Sequence, residues 1–329
     1  MDLQELNIPW KGPLTGWKKI GRFLLPQVGL NGIIKDYNQK HIASIKPIGN
    51  IGEGTFGIVD EYERTSKEGE VRRIAIKRPR HPNIDLFLEG LFQWHLWNEL
   101  KEFGISFCVP RVFDIFRYQP TGDVWFSMEC FKPLLLSKWL VEQAPKSSHI
   151  LLPLLLLQIA LVLEVMENHI RIDHRDLKIN NMIIVEETLD IEIKWDGRMR
   201  KLHFPFRIVF VDFGFACLED KLDIREGRGL PPLDFCPKEG RDLFQVLVSL
   251  WSIGTLRRTW EQVWGKWVLD KIDSAVKPDK LNILSYMNLI KSAPNLDWMY
   301  NATDDTEFRA PKCAPSIIIR ECLDFLETH

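Results

Sequence analysis

The run from Ile150 to Leu163 has 14 residues and no charge, and it constrains this chain more than any other stretch. Crossing a bilayer takes about 20 apolar residues, so the run is too short to span one and reads as a helix sunk in a protein core. Pro153 sits near its start, where the first turn has no intrahelical partner for a backbone N–H and tolerates proline. A helix apolar on every face must be covered on every face, and a chain of 329 residues, about two domains' worth, has the means to do it.

Upstream, the pattern changes period. Residues 42–79 alternate apolar and polar in three stretches, IASIKPI, GIVDEYER and EVRRIAIK, which predicts a meander of strands. After His81-Pro82, Asn83 is a candidate cap for a helix carrying Leu86, Leu88, Leu91, Phe92, Leu96 and Leu100 at roughly helical spacing. Two more strands are predicted around the Pro-Thr-Gly-Asp turn at 120–123. Beyond Pro133 the period becomes mostly helical. The expectation is an α+β chain with a β-rich N-terminal part joined at about 129–133 to a larger α-rich part. Residues 1–41 form an extension, 42–130 the first lobe and 131–329 the second. Trp10 and Trp17 in the extension are expected to pack on the lobe.

Lys+Arg of 43 against Asp+Glu of 45 gives a net charge of −2, without the cationic excess of a dedicated nucleic-acid binder. The first residues show neither a continuous apolar run nor a lipidation site, and no membrane association is expected. The six cysteines, 108, 130, 217, 236, 313 and 322, lack Cys-x-x-Cys spacing and are expected to be reduced thiols of a soluble intracellular protein, not zinc ligands.

Four short segments carry chemistry. Gly52-Glu-Gly54-Thr-Phe-Gly57 lies between two predicted strands, which argues against a dinucleotide fold and for a hairpin whose backbone approaches phosphates closely. Ile74-Ala75-Ile76-Lys77 puts a lysine on a strand buried on at least one face, where it needs an anionic partner. Glu89, 12 residues on, and Glu99, 22 residues on, both qualify, and helical periodicity does not choose between them. In His174-Arg175-Asp176-Leu-Lys178-Ile-Asn-Asn181 a carboxylate can accept the proton of a hydroxyl, a nearby lysine can neutralise a transferring phosphoryl group, and an amide oxygen can meet Mg²⁺. Ile208-Val-Phe-Val-Asp212-Phe-Gly214 ends a buried strand on a carboxylate, as a second metal ligand would.

These segments, in this order, resemble the signature set of eukaryotic-type protein kinases over about residues 42–255. The resemblance implies a bilobal protein-kinase-like fold with a small antiparallel N-lobe sheet, one N-lobe helix and a mainly helical C-lobe. It implies ATP and Mg²⁺ as cofactors and a protein substrate phosphorylated on Ser or Thr, since Lys178 follows the base by two residues; a small-molecule phosphotransferase of the same fold and a pseudokinase scaffold are the alternatives. Lys77, paired with its glutamate, would hold the α/β-phosphates, the loop of Gly52, Gly54 and Gly57 would cover them, Asp176 would be the base, and Asn181 and Asp212 would bind metal. Phe126–Phe131 resembles the family's hinge, with Met128 beside the adenine and backbone groups of Glu129 and Phe131 at its edge. Ile51, Val59, Ala75 and Ile183 would sandwich the ring. Val109-Pro110-Arg111-Val112 resembles the strand entry of the casein-kinase-one and vaccinia-related branch, whose short interval favours Glu89 over Glu99.

The chain also departs from that family. Asp176 and Asp212 are 36 residues apart, because 186–207 inserts a predicted hairpin around Asp196-Gly197. Its Lys194, Arg198, Arg200, Lys201 and Arg207 are expected to be a solvated charged face rather than a dock for an acidic partner. No Ala-Pro-Glu precedes Gly240-Arg241-Asp242, which resembles the start of the helix that braces the catalytic loop. Residues 213–241 contain no Ser, Thr or Tyr, so phosphorylation there cannot be a switch. Glu219, Asp220, Asp223 and Glu226 are candidates for a permanent partner of Arg175. Further helices are expected over Trp260–Ile272, Asp279–Ile290 and Ser316–Leu326.

Overall fold

The computed structural model describes residues 25–132, 134–144, 146, 149–219, 222–224, 236–275 and 296–328. Trp10, Trp17, Asp220, Glu226 and the expected helix over Asp279–Ile290 lie outside them. The described residues divide into two compact units. One holds 25–132 and 222–224, and the other holds 134–219, 236–275 and 296–328.

The first unit is a closed barrel. Its strands are β1 (Gln27–Val28), β2 (Ile33–Lys35), β3 (His41–Glu53), β4 (Gly57–Ser66), β5 (Val71–Pro79), β6 (Val112–Tyr118) and β7 (Val124–Glu129), in spatial order β1-β2-β3-β4-β5-β7-β6. The helix α1 (Phe87–Glu102) lies between β5 and β6 in sequence. The expected three-strand meander is present as β3, β4 and β5. The expected small antiparallel sheet is not. β1 pairs with β2 antiparallel and with β6 in parallel, so the two strands that would have been edges, β3 and β6, are both covered. An exposed edge leaves a row of unpaired N–H and C=O groups, and closure satisfies them. The bilobal protein-kinase-like fold expected from the motifs is thereby corrected: the described residues form a closed seven-strand barrel together with seven α-helices.

Gly32 makes the β1–β2 turn possible. Its φ is +73°, and a Cβ there would come within 2.1 Å of the Ile45 carbonyl oxygen. Val28, Ile34, Ala43, Ile45, Ile74, Ile76 and Phe116 then form one buried cluster of the barrel. The helix does not use Asn83 as its cap. Asp85 accepts the Phe87 N–H at 2.9 Å instead, two residues nearer the first turn.

In the second unit, α2 (Leu136–Gln143) precedes α3 (Leu151–Glu164), whose last turn widens into a π-helical segment, Val165–Ile170. By length and apolarity Leu151–Ile170 would suffice to cross a membrane, yet 78% of its most apolar window is buried inside the structure, as a core helix requires. After α3 come β8 (Ile172–Asp173), β9 (Met182–Val185), β10 (Leu189–Trp195), β11 (Arg198–Phe204), β12 (Arg207–Phe210) and β13 (Cys217–Leu218), paired as β8–β13, β9–β12 and β10–β11. Helices α4 (Arg241–Ser252), α5 (Gly254–Ala275), α6 (Asp297–Asp304) and α7 (Pro315–Thr328) complete it, α7 packing on α3.

The hairpin β10–β11 turns at Asp196 and Gly197, φ +50° and +76°, as a two-residue turn with both residues left-handed. Three of its five candidate cations already face carboxylates of the same unit: Arg200 bonds Glu327 on α7, Lys201 lies 3.1 Å from Glu192, and Arg207 lies 3.6 Å from Glu187.

Cys217 and Cys236 are joined as a disulfide, their Cα atoms 6.3 Å apart, which corrects the expectation of six reduced thiols. The pair is 19 residues apart in sequence; Asp173 on β8 lies opposite Cys217 and accepts the Lys238 N–H, which sets the 236–238 segment beside β13, a juxtaposition that spacing does not reveal. Cys108, Cys130, Cys313 and Cys322 remain thiols.

Candidate functional site

The candidate residues fall into two constellations, one in each unit. In the barrel, Lys77 sits on β5 between Val59 of β4 and Phe126 of β7, and only 5% of it is exposed. Its Nζ lies 2.5 Å from Glu89 Oε1 on the first turn of α1. Gly90 makes that approach possible. A Cβ there would press within 3.0 Å of the Phe126 ring, so the helix can lie against β7 beside Lys77 only without one. Glu99 faces His95 one turn away at 3.7 Å and takes no part in the Lys77 pair.

The glycine turn is built around the same lysine. Gly54 N–H donates to the Gly57 carbonyl at 2.8 Å, and a Cβ on Gly57 would fall 2.7 Å from Lys77 Cε. A Cβ on Gly52 would meet nothing within 4 Å, so that position leaves open backbone for a ligand. Ile51 and Val59 are half-buried at this end of the barrel, and Ala75 is buried opposite Met128 on β7. Gln93 of α1 meets Met128 Sδ at 3.5 Å, and the Glu129 N–H donates to the Arg111 carbonyl at 2.8 Å. Phe131 lies beyond β7, two residues past its end. Elsewhere on the barrel a cavity of about 570 Å³ is lined by Val28, Asn31, Ile45, Tyr62, Tyr118 and Trp125 among others, and it contains none of the candidate residues.

The second constellation is a loop whose backbone is held by one helix. Asp242, at the start of α4, accepts the N–H groups of His174 (2.7 Å) and Arg175 (3.0 Å). Gln245 accepts the Leu177 N–H and donates to the Arg175 carbonyl, both at 3.0 Å, and Ser249 accepts the Ile179 N–H at 3.1 Å. Spacings of three and four residues put these three polar groups on one face of α4. Arg175 adopts φ +63° and Asp212 φ +65°, conformations that disfavour L-residues by about 1–2 kcal/mol each. Such backbone strain gathers at functional sites, where the surroundings over-determine it.

On this braced loop the Asp176 carboxylate is 5% exposed and collects three donors. Lys178 Nζ approaches its two oxygens at 2.9 and 3.1 Å, Asn181 Nδ2 donates to Oδ2 and to the Asp176 carbonyl at 2.8 Å, and the Tyr300 hydroxyl donates to Oδ1. Asn181 thus spends its NH₂ on Asp176 and keeps its amide oxygen as an acceptor. The Val211 N–H donates to the Asn181 carbonyl at 3.0 Å, which sets Asn181 beside the Val211-Asp212 peptide. An amide oxygen and a carboxylate on adjacent backbone segments suit a hard cation such as Mg²⁺. Ile183 follows on β9, paired with Val209 of β12 and bridged to Leu135.

Buried charge surrounds the loop. Burial, and then the neighbouring Asp173, push the Glu167 carboxyl up to about 8, while it accepts the Gly240 N–H at 3.1 Å. Burial followed by Asp173 likewise pushes Asp242 up to about 7, and burial raises Asp173 itself despite Arg241 at 3.4 Å. Burial lowers His174, whose neutral ring places Nε2 at 3.1 Å from the Val211 carbonyl and so carries its proton there. Burial raises the Tyr300 phenol first, and Asp176 raises it further, so the hydroxyl stays protonated. Asp173 lies near Cys217 and Cys236, but both sulfurs are bonded to each other and Asp173 accepts the Lys238 N–H at 2.9 Å, so this trio is not a metal site. Glu219, a candidate partner for Arg175, faces Arg171 at 3.7 Å.

Sequence reasoning missed Gln245, Ser249 and Tyr300. The first two had a signal, since 242, 245 and 249 are polar positions at helical spacing within an otherwise apolar segment. Tyr300, 124 residues from Asp176, had none. Compared with known proteins, the chain matches no family model, and no curated protein is significantly similar to it.

Proposed function

We propose that this chain is an ATP- and Mg²⁺-dependent phosphotransferase acting as a serine/threonine protein kinase inside the cell. The observation that carries the reading is the Asp176 carboxylate, pinned by Asn181 and Lys178 on a loop that α4 holds through Asp242, Gln245 and Ser249. A base so fixed can orient an acceptor hydroxyl and take its proton. Lys178, on the same carboxylate, neutralises charge that gathers on the group being transferred. Asn181 and Asp212 are the residues that would hold Mg²⁺, which when bound screens the phosphate charges. In the barrel, Lys77, oriented by Glu89, is the ligand suited to the α/β-phosphates, with the open backbone at Gly52 beside it. Val59, Ala75 and Ile51 are the apolar groups of the barrel suited to a planar base, and Met128, Glu129 and Phe131 the segment suited to its edge.

The test is incubation of the full chain with Mg·ATP and a mixed set of protein and small-molecule acceptors, followed by location of the label. Labelled serine or threonine in protein is the expected result, lost in Asp176→Asn while ATP affinity stays within about twofold, because the base touches the acceptor and not the nucleotide. Label confined to small molecules would replace the protein substrate by a metabolite. An equal loss of nucleotide affinity in the variant would remove Asp176 from the role of base.

A further inference from the structure

In the second unit a hydroxyl already stands where an acceptor would. The Tyr300 oxygen donates its proton to Asp176 Oδ1 and accepts from Lys178 Nζ at 3.0 Å. It therefore engages both groups assigned above to the acceptor, the one that takes the proton and the one that neutralises the transferred charge. The Lys178 ammonium also lies 5.6 Å from the centre of the phenol ring.

The placement is maintained by contacts elsewhere on α6. Gln245, which braces the catalytic loop, donates to Thr303 Oγ1 at 3.3 Å. Lys238 donates to the carbonyls of Thr303 and Asp305 at 3.0 and 2.7 Å. Trp298 stands edge-on to Phe244 of α4, with ring centres 6.4 Å apart. Helix α6 is thus fastened on both sides of Tyr300 to the elements that carry Asp176. A group held in reach of its base by the fold reacts as a neighbour and not as a solute, which favours transfer within one molecule.

We propose that Tyr300 is an internal acceptor, phosphorylated in cis by the Asp176 site before any external substrate can use it. The inference rests on the phosphoryl-transfer reading. In the step, the Tyr300 phenol oxygen forms a bond to the γ-phosphorus of ATP as the bond from that phosphorus to the β–γ bridging oxygen breaks. ADP leaves with that electron pair, and the phenol proton passes to Asp176 Oδ1. Once Asp176 has released that proton to solvent, a phosphate dianion stands beside a carboxylate, and like charges at that distance repel, so phosphorylated Tyr300 leaves the base and frees it for an external hydroxyl.

The experiment treats purified full-length protein with phosphatase, removes the phosphatase, adds Mg·ATP and maps phosphate by peptide mass spectrometry over a tenfold range of protein concentration. Phosphate on Tyr300, appearing at a first-order rate that does not change with concentration, is expected. In Tyr300→Phe the early lag in transfer to an external acceptor should vanish and the initial rate should rise several-fold. Without nucleotide, Tyr300→Phe should melt below the wild type, because the hydroxyl's bonds to Asp176 and Lys178 are gone. External transfer with Tyr300 left unmodified would overturn the internal-acceptor role and leave the kinase reading intact. A labelling rate that grows with concentration would overturn the cis step, and an unchanged melting temperature would overturn the contact. Transfer to no acceptor at all would overturn both this inference and the kinase reading.

Discussion

Replacing Lys77 and Glu89 together should separate what the pair does for stability from what it does for chemistry. Their side chains are 7% and 1% exposed, so neither charge can turn to water when its partner is removed. Removing one member of a buried pair leaves the other uncompensated, and Lys77→Met or Glu89→Leu alone should therefore destabilise the barrel by about 3–5 kcal/mol. Glu89→Gln keeps an acceptor oxygen and should lose less, about 2 kcal/mol. Removing both charges also removes the desolvation penalty. The double variant Lys77→Met/Glu89→Leu should come within about 1 kcal/mol of the wild type, or exceed it. Urea unfolding of the full chain measures the wild type and these four variants, and phosphoryl transfer is assayed on the same samples. If the lysine is the phosphate ligand, the double variant is stable and inactive, a combination that a purely structural ion pair would not produce. Single and double losses that simply add would refute the burial argument, and transfer retained in the double variant would refute the assignment of Lys77. Glu99→Gln serves as the control. Its carboxylate is 46% exposed opposite His95, and its loss should change stability by no more than about 0.5 kcal/mol.

Two further outcomes follow from the packing. Glu167, held up to about 8, binds a proton in the folded protein at pH values where the unfolded chain has already released it; stability should therefore fall as pH rises from about 4.5 to 8, by of order 2 kcal/mol, with Asp242 adding to the slope up to about 7. In Glu167→Gln, which still accepts the Gly240 N–H, that slope should flatten in pH-dependent melting, and an unchanged slope would place its origin elsewhere. Met128→Gly should admit ATP analogues enlarged at the adenine amino group, read as competition against ATP, because Met128 lies beside Ala75 on the neighbouring strand; no gain for those analogues would move the base-binding segment off β7.

What could be read in the sequence was what neighbouring residues encode together. The strands β3 to β5 show their period because each is 9 residues or longer. The loop around Asp176 was legible because Asp176, Lys178 and Asn181 fall within six positions, and the Asp196-Gly197 turn is specified by two residues with positive φ. The barrel's closure was hidden because β1 and β2 span two and three residues, too few for alternation to register, and because β1 finds β6 about 90 positions away. Helical periodicity leaves Glu89 and Glu99 both open, and only the resemblance favours Glu89. Both lie on α1, and the pairing follows from position along the helix: Glu89 is on the first turn, beside Lys77, while Glu99 is ten residues further on and faces His95.

The same distinction bears on Tyr300. A motif records groups that lie close together in sequence, and the residues proposed for the nucleotide and metal come from a few such stretches. A residue that competes with the acceptor has to enter the site from outside those stretches, on an element whose own sequence is under no pattern but that of a short helix. α6 meets this condition: its eight residues carry a fastening face, Trp298 and Thr303 on α4, and one hydroxyl delivered to Asp176. The helix that holds the 174–179 loop through Gln245 also holds α6 through the same amide. Asp176 and Tyr300 thus share one brace, which is how a hydroxyl 124 residues distant stays within hydrogen-bond reach of the carboxylate.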